Sequence, residues 1–111
     1  MAMYMLMGRY SPAALKGIVE TGSDREAAAR EAIEAVGGKL LGFYGMFGHE
    51  YQVALVCEAP GNAEYLAAVI PAIAGGVLES YQTIPLYTSA EAMKAVALSK
   101  KVRNVYRAPG S

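Results

Sequence analysis

The sequence predicts a single α+β domain, a four-stranded antiparallel sheet with helices on one face. Three observations predict it. The chain has 111 residues, about the size of one ordinary domain. Short runs of alternating or doubly apolar residues take turns with runs of helical period. Between them stand punctuating residues: Ser11-Pro12, Gly37-Gly38, Pro60-Gly61 and Gly75-Gly76.

The elements follow in order. Met3 to Tyr10 reads as the first strand, with Tyr4 and Leu6 alternating against Met3, Met5 and Met7. Ser11 offers a hydroxyl cap and Pro12 a first helical residue, so a helix starts there, with Leu15, Ile18 and Val19 as its expected buried stripe. Thr21-Gly22 breaks it. Ser23 with Glu26 has the spacing of a capping box, which opens a second helix with Ala29, Ile33 and Val36 on one face. Gly37-Gly38 stops it.

Lys39 to Phe47 is the second expected strand, with Leu41, Phe43 and Phe47 on one face and Leu40, Tyr44 and Met46 on the other. Gly48-His49-Glu50 is a turn, and Tyr51 to Glu58 the third strand, so the two read as a hairpin. Asn62 is positioned to cap a helix running to about Ala74. That helix is apolar nearly all round, which predicts burial on more than one side. Val77 to Tyr87 is the fourth strand, with Pro85 marking an edge or a bulge. Thr88 and Glu91 form a second capping box ahead of a last helix through about Lys101, with Met93, Val96 and Ala97 expected inward. Residues 1–106 make the domain and 107–111 a loose tail.

The order β-α-β-β-α-β plus a C-terminal helix is the ferredoxin-like split arrangement. Its helices cover one sheet face. These strands are apolar on both faces, unlike a sheet with one wet side. Hydrophobic residues make up 54% of the chain and charged residues 18%, below the ~25% of ordinary domains. A small domain has too little interior for that much apolar surface. A homo-oligomer, two sheets closing into a dimeric α/β barrel, is the economical answer.

Composition also excludes functions. Ten basic and ten acidic side chains balance, so no basic field invites nucleic acid. Lys100, Lys101, Arg103 and Arg107 read as a solvated helix end beside the negative pole of the dipole. No run approaches the ~20 apolar residues of a membrane span. One cysteine, Cys57, forms no intramolecular disulfide, which fits a reducing, cytoplasmic setting. One histidine and one cysteine make no zinc spacing, and no phosphate loop or nucleophile elbow is present, so no metal or cofactor is expected.

The candidate ligand-binding residues are Tyr4, Tyr44, His49, Tyr51, Glu58 and Tyr81. The chain has eight tyrosines and no tryptophan. Tyr4, Tyr44, Tyr51 and Tyr81 fall on strands, where they either pack or converge on a cavity for an aromatic molecule. His49 beside Glu50 is either a solvated turn residue or a general acid/base. Glu79, Tyr81 and Thr83 share one expected face, and Gln52 and Glu58 another. A carboxylate enclosed there would be a base candidate. Cys57 and the six methionines read as packing.

Several of these phrases carry a resemblance. Gly8-Arg9-Tyr10-Ser11-Pro12, Gly37-Gly38-Lys39-Leu40 before Phe43-Tyr44, Glu50-Tyr51 leading into Val53 to Cys57, and Glu58-Ala59-Pro60 resemble the GYD domain family over roughly residues 3 to 95. The resemblance implies a dimeric α/β-barrel fold more than an activity. At the signature the chain reads Gly48-His49-Glu50-Tyr51-Gln52, with Gln52 where the family carries aspartate. Related barrels act on small aromatic or polyketide-like substrates, some as cofactorless oxygenases and isomerases. Three functions stay open: an oligomeric domain binding a small molecule or protein without catalysis, a cofactor-independent enzyme on an aromatic or enolisable substrate, and a structural assembly unit.

Overall fold

The computed structural model describes residues 1–110. Its elements run β1 (Ala2–Tyr10), α1 (Pro12–Thr21), α2 (Arg25–Ala35), β2 (Lys39–Gly45), β3 (Val53–Ala59), α3 (Asn62–Ala74), β4 (Leu78–Leu86) and α4 (Ser89–Arg103). The four strands form one sheet in the order β2-β3-β1-β4, every neighbouring pair antiparallel. This is the ferredoxin-like α+β fold expected from the sequence.

The ladder assigns the faces. Leu6 pairs with Leu55 and Thr83, and Tyr4 with Cys57 and Pro85. Tyr4, Leu6, Val53, Leu55, Cys57 and Ala59 are buried against the helices, joined there by Ile33 of α2 and by Tyr65 and Val69 of α3. The opposite face carries Met3, Met5 and Met7 paired with Val56 and Ala54 on one side and Leu86 and Ile84 on the other. All seven of these apolar residues are partly exposed, because no helix lies over them.

Several local expectations need correction. The β2–β3 connection is longer than a tight turn. β2 ends at Gly45 and β3 starts at Val53, leaving Phe47 fully exposed. Within β2 the register shifts between Leu40 and Gly42. The extra residue, Leu41, reverses the alternation, so Leu40 and Phe43 share the helix side, facing Cys57 and Leu55. A second shift between Arg9 and Tyr10 separates Glu79 from Tyr81 and Thr83, and Glu79 instead meets Arg9 at 2.9 Å.

The cap of α2 is Asp24, whose carboxylate accepts from the Ala27 N–H, so the Ser23–Glu26 box does not form. The cap of α3 is Gly61, and the Asn62 side chain is free to accept the Tyr4 hydroxyl. The Thr88–Glu91 box does form. α1 buries none of its expected stripe, with Leu15 and Val19 exposed. α3 buries Tyr65 and Val69 but leaves Leu66 and Ile70 more than half exposed in the single chain.

α4 departs furthest. It buries nothing, and Met93 and Val96 are exposed instead of inward. The radius of gyration is 18.0 Å and the longest dimension 61 Å. A compact chain of this length would have a radius near 13 Å, so α4 stands away from the body. No helix is long and apolar enough to cross a membrane among the described residues.

Candidate functional site

The layer between sheet and helices is incompletely filled. The inward positions of α2 include Ala28, Ala29 and Ala32, and those of α3 include Ala68 and Ala72. Opposite them the sheet presents Leu6, Phe43, Val53 and Leu55. Alanines on both helices cannot reach across, and a half-open cavity of about 300 Å³ remains, lined also by Val77 and Leu78.

Three polar side chains reach this cavity: Tyr10 from the end of β1, Arg25 from the first turn of α2 and Tyr65 from α3. Burial pushes the Tyr10 phenol above the usual tyrosine value, while the charge of the nearby Arg25 guanidinium pulls the other way. Burial likewise raises Tyr65, against the hydrogen bond its hydroxyl shares with Thr83 Oγ1 at 2.7 Å. Both phenols therefore hold their protons at neutral pH, and the Tyr65 hydroxyl is engaged with Thr83.

Tyr10 is held from its backbone. Its N–H donates to Gln52 Oε1 at 2.9 Å, and the Gln52 N–H donates to the Gly8 carbonyl at 2.9 Å. The Met46 N–H in turn donates to the Gln52 carbonyl at 2.8 Å. Gln52, in the altered signature, thus ties the β2–β3 connection to the end of β1 that aims Tyr10.

The sequence-derived candidates fall in different places. Tyr4 is buried and stacks on Tyr65, ring centroids 4.2 Å apart, behind the cavity wall. Tyr51 is buried within the β2–β3 connection, and His49 Nδ1 accepts its N–H at 3.1 Å. Glu58 lies on the open sheet face, paired with Met3 and Lys39. Tyr44 lies over Gly42 on the same open face and is largely exposed. Tyr81 is half exposed on the edge strand. The structure brings Tyr4 and Tyr65 together, but it does not gather the six around one cavity.

Tyr10 and Arg25 escaped sequence reasoning, because one ends a strand and the other opens a helix. The usable signal was Ala28-Ala29 with Ala32, and Ala68 with Ala72, small residues at helical spacing on inward faces. Among the described residues no group of three His, Cys, Asp or Glu is placed to hold a metal ion.

Comparison with known proteins places this geometry. The chain resembles 5-chloro-2-hydroxyhydroquinone dehydrochlorinase of Burkholderia phenoliruptrix AC1100, solved in complex with 2,5-dihydroxybenzoquinone. The TM-score is 0.57 at 14% identity, covering 80% of this chain and 97% of that one. Weaker likenesses are to the protein Atu4242 of Agrobacterium tumefaciens (TM-score 0.44, 10% identity, 80% and 94% covered) and to a mutant of MhuD with two manganese protoporphyrin IX molecules per active site (0.45, 18%, 80% and 95%). At 14% identity the likeness to the dehydrochlorinase speaks for the fold alone. No curated protein matches in sequence. The profile of the GYD domain matches residues 4–96, most of the chain and every element through the middle of α4, and the chain belongs to the GYD domain family.

Proposed function

We propose that this domain binds a small, mostly apolar molecule between its sheet and helices α2 and α3, without catalysing its conversion, and that it does so as a homo-oligomer. The alanine-walled cavity carries the reading. Its size, about 300 Å³, lies at the lower end of small-molecule sites, and its character, apolar with a few converging donors, is theirs as well. The dehydrochlorinase of the same fold holds 2,5-dihydroxybenzoquinone, a flat ring of the size such a space admits.

Binding is favoured over turnover by the kind of polar group present. Proton abstraction needs a base within reach of the substrate. The groups lining the cavity are a guanidinium and two phenols whose protons are held more tightly than usual. They can orient a ligand and donate to it. The oligomer is supported by the open sheet face, where Met3, Met5, Met7, Ala54, Val56, Ile84 and Leu86 form an apolar patch flanked by Glu58 and Gln82. A free buried thiol, Cys57, suits a reducing interior such as the cytoplasm.

The test is calorimetric titration with 2,5-dihydroxybenzoquinone and other flat ring compounds, on the unaltered protein and on Ala68→Trp. Saturable binding at one molecule per chain, lost in Ala68→Trp while its circular dichroism is kept, is the expected result. Undiminished binding to Ala68→Trp would move the site elsewhere. Failure of every ring compound to bind would end the reading, and steady consumption of one would replace it with an enzyme.

A further inference from the structure

Building on the proposed binding role, we infer that the ligand of the sheet–helix cavity is a planar oxyanion on an apolar ring body, and that Arg25 receives its charge. Arg25 is half-buried and lines the cavity. It also borders a smaller recess under α1, formed by Ala14, Gly17, Ile18 and Thr21. The acids beside it are committed elsewhere. Asp24 caps α2 through the Ala27 N–H, and Glu26 pairs with Arg30 at 2.9 Å. Among the described residues the remaining ion pairs are Arg9–Glu79 and Lys16–Glu20, and none includes Arg25.

What Arg25 does touch is weak or neutral. Its Nη1 lies 3.4 Å from Ser23 Oγ, a long contact, and the Tyr10 phenol is near enough to feel its charge. A guanidinium offers five N–H donors, so most of its capacity is unspent on protein. Helix stability does not explain it either. Arg25 is the first residue of α2, where a cation meets the positive pole of the helix dipole and is disfavoured. A partly desolvated cation without an anion costs free energy until one arrives.

The arrangement suits a carboxylate or an ionised ring hydroxyl entering beside α2. Two guanidinium N–H groups meet a planar oxyanion as a fork. The Tyr10 hydroxyl supplies a further donor, and Gln52 fixes the strand end from which it projects. The alanines and the sheet residues then enclose a ring that carries no further polar groups. No bond is made or broken, so nothing else is required of the site.

The experiment compares 2-naphthoate with 2-naphthamide, matched in shape and differing in charge. Calorimetric titration would use the unaltered protein, Arg25→Gln and Arg25→Lys. Naphthoate is expected to bind the unaltered protein at least about tenfold more tightly than the amide, the scale of a hydrogen bond to a charged group. Arg25→Gln should erase that preference by lowering naphthoate affinity more than amide affinity, and Arg25→Lys should restore part of it, since lysine keeps the charge but loses the fork. Thermal melts of both variants check that they fold. A variant that fails to fold passes the test to Tyr10→Phe, which should narrow the naphthoate preference several-fold. Equal affinity for the two probes, or a preference surviving in Arg25→Gln, overturns the charge assignment while leaving the binding role intact. Failure of both probes, while other ring compounds bind, overturns the oxyanion assignment alone; failure of those compounds as well overturns the role.

Discussion

Cys57 shows how one side chain sets a pH limit. It is completely buried, and burial pushes its thiol from 9.0 to about 11. The folded chain therefore holds the proton more tightly than the unfolded chain. The resulting stability is fully present below pH 9 and is lost as pH rises from 9 toward 11. A shift of that size corresponds to roughly 2–3 kcal/mol. Urea midpoints taken at pH 8.5 and pH 10 should fall in the unaltered protein. In Cys57→Ala the midpoint starts lower, because a cavity is left, but it should change much less over the same interval. Tyr10 and Tyr65, also raised, act in the same direction only above the ordinary tyrosine value. The packing role of Cys57 was legible in the sequence, since its strand alternates cleanly. The role of Arg25 was not, because nothing in one dimension shows that its acidic neighbours turn away, Asp24 into a cap and Glu26 toward Arg30.

Among the elements, strand alternation was the reliable guide and single insertions were where it broke. β1 and β3 alternate as read because each runs unbroken through its ladder with the other. β2 and the start of β4 carry register shifts at Leu40/Gly42 and Arg9/Tyr10, and a period of two cannot survive an added residue. Helix starts show a similar limit. Ser23 and Asp24 are both capping residues, and only backbone geometry decides between them. Asp24 has extended backbone, with φ −82° and ψ 98°, and takes the Ala27 N–H at 3.1 Å, leaving Ser23 one residue outside. Asp24→Ala should therefore lower stability by about 1 kcal/mol, the usual cost of losing an N-cap. Ser23→Ala should cost less than half of that, and thermal unfolding of the two variants gives the comparison. The cavity is an element-scale property as well. It exists because α2 and α3 both turn alanine toward the same stretch of sheet, a coincidence of two faces that neither helix discloses alone.

At the scale of the molecule, two apolar surfaces are candidates for the contact in the proposed homo-oligomer. One is the open sheet face; the other is α4, which exposes Met93, Val96, Leu98 and Val102. The sheet is the better interface on physical grounds. Its apolar residues are contiguous on adjacent strands, Met5 lying between Val56 and Ile84. A flat layer of that kind packs face to face with another at interior density. On α4 the apolar residues alternate with Lys94, Lys100, Lys101 and Arg103 and define no single stripe. A charge at the centre of the sheet face should therefore separate the copies, while the same charge on α4 should not. Met5→Glu is expected to shift the mass measured by light scattering from oligomer to 11.7 kDa monomer at micromolar concentration, with far-ultraviolet dichroism unchanged. Val102→Glu should leave the mass as it was. An unaltered protein already monomeric at high concentration would show the sheet face to be stable in water. Oligomers lost with Val102→Glu but kept with Met5→Glu would transfer the contact to α4, and would make the 61 Å reach of the chain part of its assembly.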